Sequence, residues 1–222
     1  MPEKPPPVPI PELVQCFFDE ADGAFGPWLR ERHGQLTRDL THANRAGKLE
    51  RTTPDRIYGF FSAVIDFETP GILGTLTFGD RELCIDAVAT PNGRPERHEL
   101  WEWADAIGRP ELVPRNTSFV LQLDRMPEIV RALASATREL EPIIAEGAPD
   151  ILERIASERL VRQSALEAEW REAEHRGTVR IADEAFQRRD WHRVAMLLDS
   201  VRDRLTPAEL AKLEYARRRH GS

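Results

Sequence analysis

Apolar side chains recur three and four residues apart near the start of the chain, after a proline-rich opening. This spacing predicts a helix over 11–22 that ends near Gly23. Pro27 can begin a second helix, and the polar stretch that follows predicts its continuation to Ala46, where Gly47 would stop it. The segment 11–46 is therefore expected to be largely helical.

Between residues 57 and 89 the apolar period changes from helical spacing to two. The segment 57–67 has apolar side chains on both faces, which predicts a central strand. Two short turns rich in Gly, Pro and Asp separate it from strands at 72–78 and 81–89. Because such turns are too short for a crossover, the three strands are expected to form an antiparallel meander. A fourth strand is expected at 118–123.

Helical spacing returns in the second half of the chain. A helix is predicted over 96–107, another opens at Pro127, and a third runs from Pro149 to near Gly177. These elements predict an α+β fold, in which a three- or four-stranded antiparallel meander sheet is covered by helices and followed by an all-helical C-terminal region. The expected organisation is a disordered proline-rich tail at 1–10, an α+β domain at 11–147, and a helical region at 148–222 with a helical hairpin.

The hairpin is predicted by two apolar stripes within 178–201, which Arg189 and Asp190 interrupt. Burial of both stripes requires Trp191 to pack against Ile181, Ala185 or Phe186. A last helix is expected after Thr206, because this residue suits the N-cap, Pro207 the first helical position and Glu209 the third. The sequence of this region thus describes a scaffold of helices.

The segment 181–207 resembles a single degenerate tetratricopeptide-like hairpin, on the residues Ile181, Ala182, Ala185, Trp191, Val194, Leu198, Val201 and Pro207. These are small or apolar types that a generic helical hairpin also uses, so both interpretations stay open. No second copy follows at the period of about 34 residues, and a solenoid needs about three units. The resemblance therefore implies one unit that packs on the rest of the protein.

Composition and charge narrow the classes of function. The chain has 222 residues, 41% of them apolar, and a net charge of −7. Residues 1–150 carry 16 Lys or Arg against 25 Asp or Glu, whereas residues 151–222 carry 15 against 13. This balance argues against a general nucleic-acid binder and favours a basic partner. With no long apolar run and only two cysteines, the sequence predicts a cytoplasmic protein without a membrane span or a disulfide framework.

An enzymatic interpretation depends on one predicted helix face. On a helix over 96–107, His98, Glu102 and Asp105 would be spaced i, i+4 and i+7, so an imidazole and two carboxylates could converge on a cation or a water molecule. A hydrolase or a metal-dependent enzyme would use such a set. No second His or Cys cluster supplies further ligands, so we expect this face to be solvated, with no cofactor and no metal.

Trp101 lies between this charged stripe and the predicted core stripe, and a tryptophan with one wet edge can anchor a protein interface. With the carboxylates of Glu99, Glu102 and Asp105 it would suit a basic or Arg-rich protein surface. The sequence therefore favours a non-catalytic cytoplasmic protein-binding protein, of the toxin-neutralising (immunity) or adaptor type, over the enzyme. An exposed flat patch at Trp101 would fit binding, and a deep pocket would fit catalysis. The partner's identity and the oligomeric state stay open.

Overall fold

The computed structural model describes residues 10–43, 49–54, 61–79, 84–115, 117 and 123–220. The chain divides into two compact units, Met1–Ile155 and Ala156–Ser222. The first unit holds an antiparallel sheet with helices, and the second is made of helices, so the predicted α+β fold is confirmed. The predicted boundary, between 147 and 148, lies earlier in the chain.

A six-stranded antiparallel sheet forms the centre of the first unit, with the strand order β2-β1-β3-β4-β5-β6. Its strands are β1 (Gln35–Ala43), β2 (Leu49–Arg51), β3 (Phe61–Glu68), β4 (Ile72–Gly79), β5 (Cys84–Pro91) and β6 (His98–Glu99). Ile65 pairs with Leu76, and Leu76 with Ala87, so the predicted meander of three strands is confirmed. Parts of the predicted strands, at 57–60 and 81–83, lie outside the described residues, as do residues 118–122 of the expected fourth strand.

The predicted helix from Pro27 to Ala46 is wrong beyond Glu31, because β1 occupies most of its second half. His33 adopts a positive φ of 54° and ends the helix. At Gly34 a Cβ would lie only 2.4 Å from the Glu68 carbonyl oxygen, so the turn brings the chain directly against β3. Eight residues of β1 then pair with β3. This long-range pairing outweighs the weak local preference of a polar segment.

Of the described α-helices, three lie wholly within the first unit: α1 (Ile10–Glu31), α2 (Leu100–Ala106) and α3 (Met126–Glu146). The two helices predicted before residue 31 are in fact the single helix α1, with Pro27 inside it. Proline cannot donate to the carbonyl four residues earlier, but that residue, Gly23, is exposed, so water can take the place of the missing donor. Aromatic rings from α1 and the sheet meet in the core, with Phe25 and Phe67 centroids 5.0 Å apart.

The helix α4 (Pro149–Gln187) continues past Gly177, where the sequence predicted its end. A mid-helix glycine costs about 1 kcal/mol relative to alanine, which the packing of later α4 residues outweighs. Ala182 and Ala185 of α4 join Val194 and Leu198 of α5 (Trp191–Ser200) and two residues of α6 (Pro207–His220) in a second hydrophobic core.

The expected contact of Trp191 with Phe186 is confirmed, since their ring centroids lie 5.2 Å apart. The Trp191 ring also meets Tyr215 of α6, at 5.5 Å. Trp191 is only half-buried, however, so its burial is smaller than the sequence predicted. The N-cap of α6 matches the sequence, because Glu209 accepts hydrogen bonds from both the backbone N–H and the hydroxyl of Thr206.

Candidate binding site

The segment that carries the predicted site residues is a short strand followed by a short helix. Ala89 of β5 pairs with His98, and Val88 with Glu99, before α2 begins at Leu100. The prediction of one helix over 96–107 is therefore wrong at its N-terminal end. As a result, His98 does not share a helix face with Glu102 and Asp105, and the spacing on which the enzymatic interpretation depended does not exist.

Glu102 is buried, with 3% of its surface exposed, which contradicts the expectation of a solvated face. Its Oε2 atom accepts a hydrogen bond of 3.0 Å from the backbone N–H of Glu99. A glutamate at the third position of a helix commonly satisfies an N-terminal backbone donor in this way. Glu102 therefore stabilises the start of α2.

The imidazole of His98 is also buried, and its ring lies edge-on to Trp103 with the centroids 5.5 Å apart. Trp103 is buried in the core, and its Nε1 donates to the Ala89 carbonyl oxygen at 3.1 Å. Since a buried indole N–H needs an acceptor, this bond fixes α2 on β5. These contacts give His98 and Trp103 a place in the packing of the first unit.

Trp101, by contrast, lies half-buried on α2. The guanidinium carbon of Arg115 lies 5.1 Å from the centroid of the Trp101 ring, within the range of a cation–π interaction. The same guanidinium forms an ion pair with Asp105. The indole face and the carboxylate together thus hold one arginine side chain from a neighbouring segment of the chain.

A groove of about 220 Å³ runs beside this arrangement. Asp86 of β5 and Glu99 of β6 both line it. Asp86 is two residues from Val88, the pairing partner of Glu99, so both carboxylates lie on the same face of the sheet. The other lining residues are Ile85, Ala87, Trp101, Val113, Pro114, Arg115, Thr117 and Leu133. The lining therefore combines two carboxylates, an indole and a guanidinium with apolar side chains.

Of the four predicted binding residues, the structure brings Glu99 and Trp101 to the groove, places Asp105 next to it through Arg115, and buries Glu102. Sequence reasoning did not identify Asp86 or Arg115 as part of the site. The outward position of Asp86 follows from the alternation of side chains along β5, so this alternation in the sequence could have indicated Asp86. Arg115 follows Pro114 in an irregular segment, where no periodicity indicates which way a side chain points.

Other chemistry is sparse in the described part of the chain. No group of three or more His, Cys, Asp or Glu side chains there could hold a metal ion, and no helix there is long and apolar enough to cross a membrane. Cys16 and Cys84, both described, are not joined in a disulfide. Burial, followed by the nearby carboxylates of Glu20 and Asp19, raises the pKa of Cys16, which disfavours the reactive thiolate.

No protein-family model matches the chain, and neither a curated protein nor a solved structure matches it. What the groove can bind therefore follows from its own geometry. The resemblance of 181–207 to a tetratricopeptide-like hairpin stays a prediction.

Proposed function

We propose that this is a non-catalytic, cytoplasmic protein-binding protein of adaptor or toxin-neutralising type, whose groove at Trp101 receives an arginine or lysine side chain from a basic partner protein. The observation that carries the proposal is the position of Arg115, which lies over the Trp101 ring and pairs with Asp105. It shows that the indole face and carboxylate can hold a guanidinium, the group that a basic partner would supply.

Charge at the groove supports a partner of this kind. Asp86 and Glu99 line the groove together with Trp101 and Arg115, so the wall that a partner would meet carries two carboxylates. Hydrogen bonds between a guanidinium and a carboxylate are stronger than neutral ones and fix the geometry of the pair. The excess of acidic residues over 1–150 would also speed the approach of a basic partner.

The groove fits a side chain better than a small substrate. Its volume, about 220 Å³, is below the usual range for sites that enclose drug-sized ligands. Cys16 and Cys84 are not joined in a disulfide, which agrees with a reducing compartment and supports the cytoplasmic assignment. The enzymatic alternative has lost its geometric basis, because His98 and Glu102 are both buried and contact other residues.

The proposal can be tested with a short arginine-containing peptide and its citrulline counterpart, which has nearly the same shape without the charge. The Trp101 indole N–H signal, assigned by comparison with Trp101→Phe, is followed by NMR during titration. We expect the arginine peptide to shift this signal with a saturable curve. Citrulline should bind on the order of tenfold more weakly, because it cannot form charge-assisted hydrogen bonds.

Two variants and a control sharpen this experiment. Asp86→Asn should weaken arginine-peptide binding by about tenfold, whereas Glu128→Gln, an exposed carboxylate outside the groove, should leave it unchanged. Arg115→Ala removes the internal competitor and should strengthen binding on the order of fivefold. Equal shifts with the arginine and citrulline peptides, or no shift at millimolar peptide, would refute the proposal.

A further inference from the structure

The middle of α4 is an exposed length of helix within the second unit. Every side chain from 163 to 174 is exposed, and apolar ones are among them: Leu166 is 57% exposed and Trp170 is 77% exposed. An exposed tryptophan on a folded protein marks an interaction surface more often than expected by chance.

Helical spacing brings a defined set of side chains to one face of this segment. Leu166, Glu169 and Trp170 follow Arg162 at i+4, i+7 and i+8, so the four share a face. Val161 and Arg171 lie on the far side of the helix, since at 3.6 residues per turn each is rotated by about 140° from Leu166. Arg162 and Glu169 lie on one side of Leu166 on this face, and Trp170 lies on the other side.

Charge is distributed unevenly along the same segment. Residues 156–162 carry Arg159 and Arg162 against a single glutamate, Glu158. Residues 167–174 carry four glutamates against Arg171 alone. Two parallel copies would place like charges together, whereas two antiparallel copies place each basic half beside an acidic half. The segment is therefore complementary to itself in one orientation.

From this complementarity we propose that two copies of the chain associate through α4, antiparallel and related by a two-fold axis that passes near Leu166. Leu166 then meets Leu166 of the second copy, and Trp170 covers the aliphatic stem of Arg162 of the second copy. Arg162 pairs with Glu169 of the second copy, and symmetry repeats the pair. The contact buries both exposed apolar side chains.

The named contacts run from Arg162 to Trp170, about two and a half helical turns, which is small for a protein interface, so we expect a dissociation constant on the order of 10–100 µM. Sedimentation of the full chain across this range should show a monomer–dimer equilibrium. Trp170→Ala should abolish the dimer and leave the melting temperature at low protein concentration unchanged, because Trp170 is exposed in the monomer. Val161→Ala, which alters the far side of the helix, should dimerise like the wild type.

Charge reversal tests the orientation. Arg162→Glu and Glu169→Arg each create two repulsive pairs in the proposed dimer, so each variant alone should be monomeric at concentrations where the wild type dimerises. A 1:1 mixture of the two variants restores both pairs and should form a heterodimer, and the double variant should form a homodimer. Arg171→Glu is the charge-matched control and should dimerise like the wild type. A wild type that stays monomeric up to about 500 µM, or a mixture that stays monomeric, would overturn the proposal.

Discussion

At the scale of single residues, Glu141 is the most informative buried polar group outside the groove. It lies on α3 with 7% of its surface exposed, and its Oε2 atom accepts from the Trp28 Nε1 at 3.1 Å. The Arg32 Nε lies at 3.1 Å from the same oxygen, although the Arg32 side chain is half exposed. One carboxylate therefore joins the end of α1 to α3 through an indole that has no access to water.

Replacement of Glu141 separates these two contacts. Glu141→Ala should lower the free energy of unfolding by about 2–4 kcal/mol, since it leaves the buried Trp28 N–H without its acceptor and creates a cavity. Glu141→Gln keeps an acceptor and loses only the pairing with the half-exposed Arg32, so it should cost about 1 kcal/mol or less. Chemical denaturation of both variants measures the difference. Equal losses would mean that the ion pair, and not the indole hydrogen bond, dominates.

At the scale of elements, the N-terminus of α6 shows how a cap confers pH dependence. The Glu209 carboxylate accepts from the backbone N–H of Thr206, and this bond, with smaller contributions from the Thr206 hydroxyl and from His175, lowers the pKa of Glu209. A carboxyl whose pKa is lower in the folded state stabilises the fold fully above its unfolded pKa, about 4.3. The stabilisation is lost as the pH falls through the folded value.

Glu209→Gln should therefore destabilise the second unit at neutral pH. The difference in stability between the variant and the wild type should disappear as the pH is lowered below about 4.3. Hydrogen exchange of α6 amides at pH 7 and at pH 3.5, corrected for intrinsic rates, provides the measurement. Glu214→Gln, an exposed change on the same helix, serves as the control and should show no such trend. A gap that persists at low pH would assign the effect of Glu209 to packing rather than to its charge.

The elements also show which parts of the fold depend only on residues that are close together in the sequence. The meander was predictable because its two turns restrict β3, β4 and β5 to adjacent antiparallel pairing. The strand β1 was not, because its polar residues favour no structure strongly and most of its pairing is with β3, where Gln35 pairs with Glu68. The same reason explains the candidate site: Trp101 was identifiable from its place on a short helix, whereas Arg115 reaches it from a loop with no repeating pattern.

At the scale of the whole molecule, the two units have separate hydrophobic cores. The larger contains Leu76 and the aromatic residues of α1, and the smaller contains Leu198 with five other buried residues. Small cores open more readily than large ones, since they bury less apolar surface on folding.

We therefore expect amides of α5 and α6 to exchange with solvent faster than amides of β3 and β4. Leu198→Ala should accelerate exchange throughout α5 and α6 and leave the central strands unchanged, because it removes about 2–4 kcal/mol from the smaller core alone. Leu76→Ala should do the reverse. Hydrogen exchange with mass spectrometry can follow both units in one sample. Acceleration of all segments by Leu198→Ala would indicate a single cooperative unit.

The sheet's outermost strands have a consequence for the behaviour of the protein at high concentration. Among the described strands, β2 and β6, at the two ends of the sheet, are also the shortest, with three and two residues. An incoming strand could form few backbone hydrogen bonds with either, so neither is a good template for edge-to-edge growth. Growth on β2 or β6 is therefore disfavoured, and a mutation that destabilises the larger core, and so opens the longer strands between them, should shorten the lag time of fibril formation.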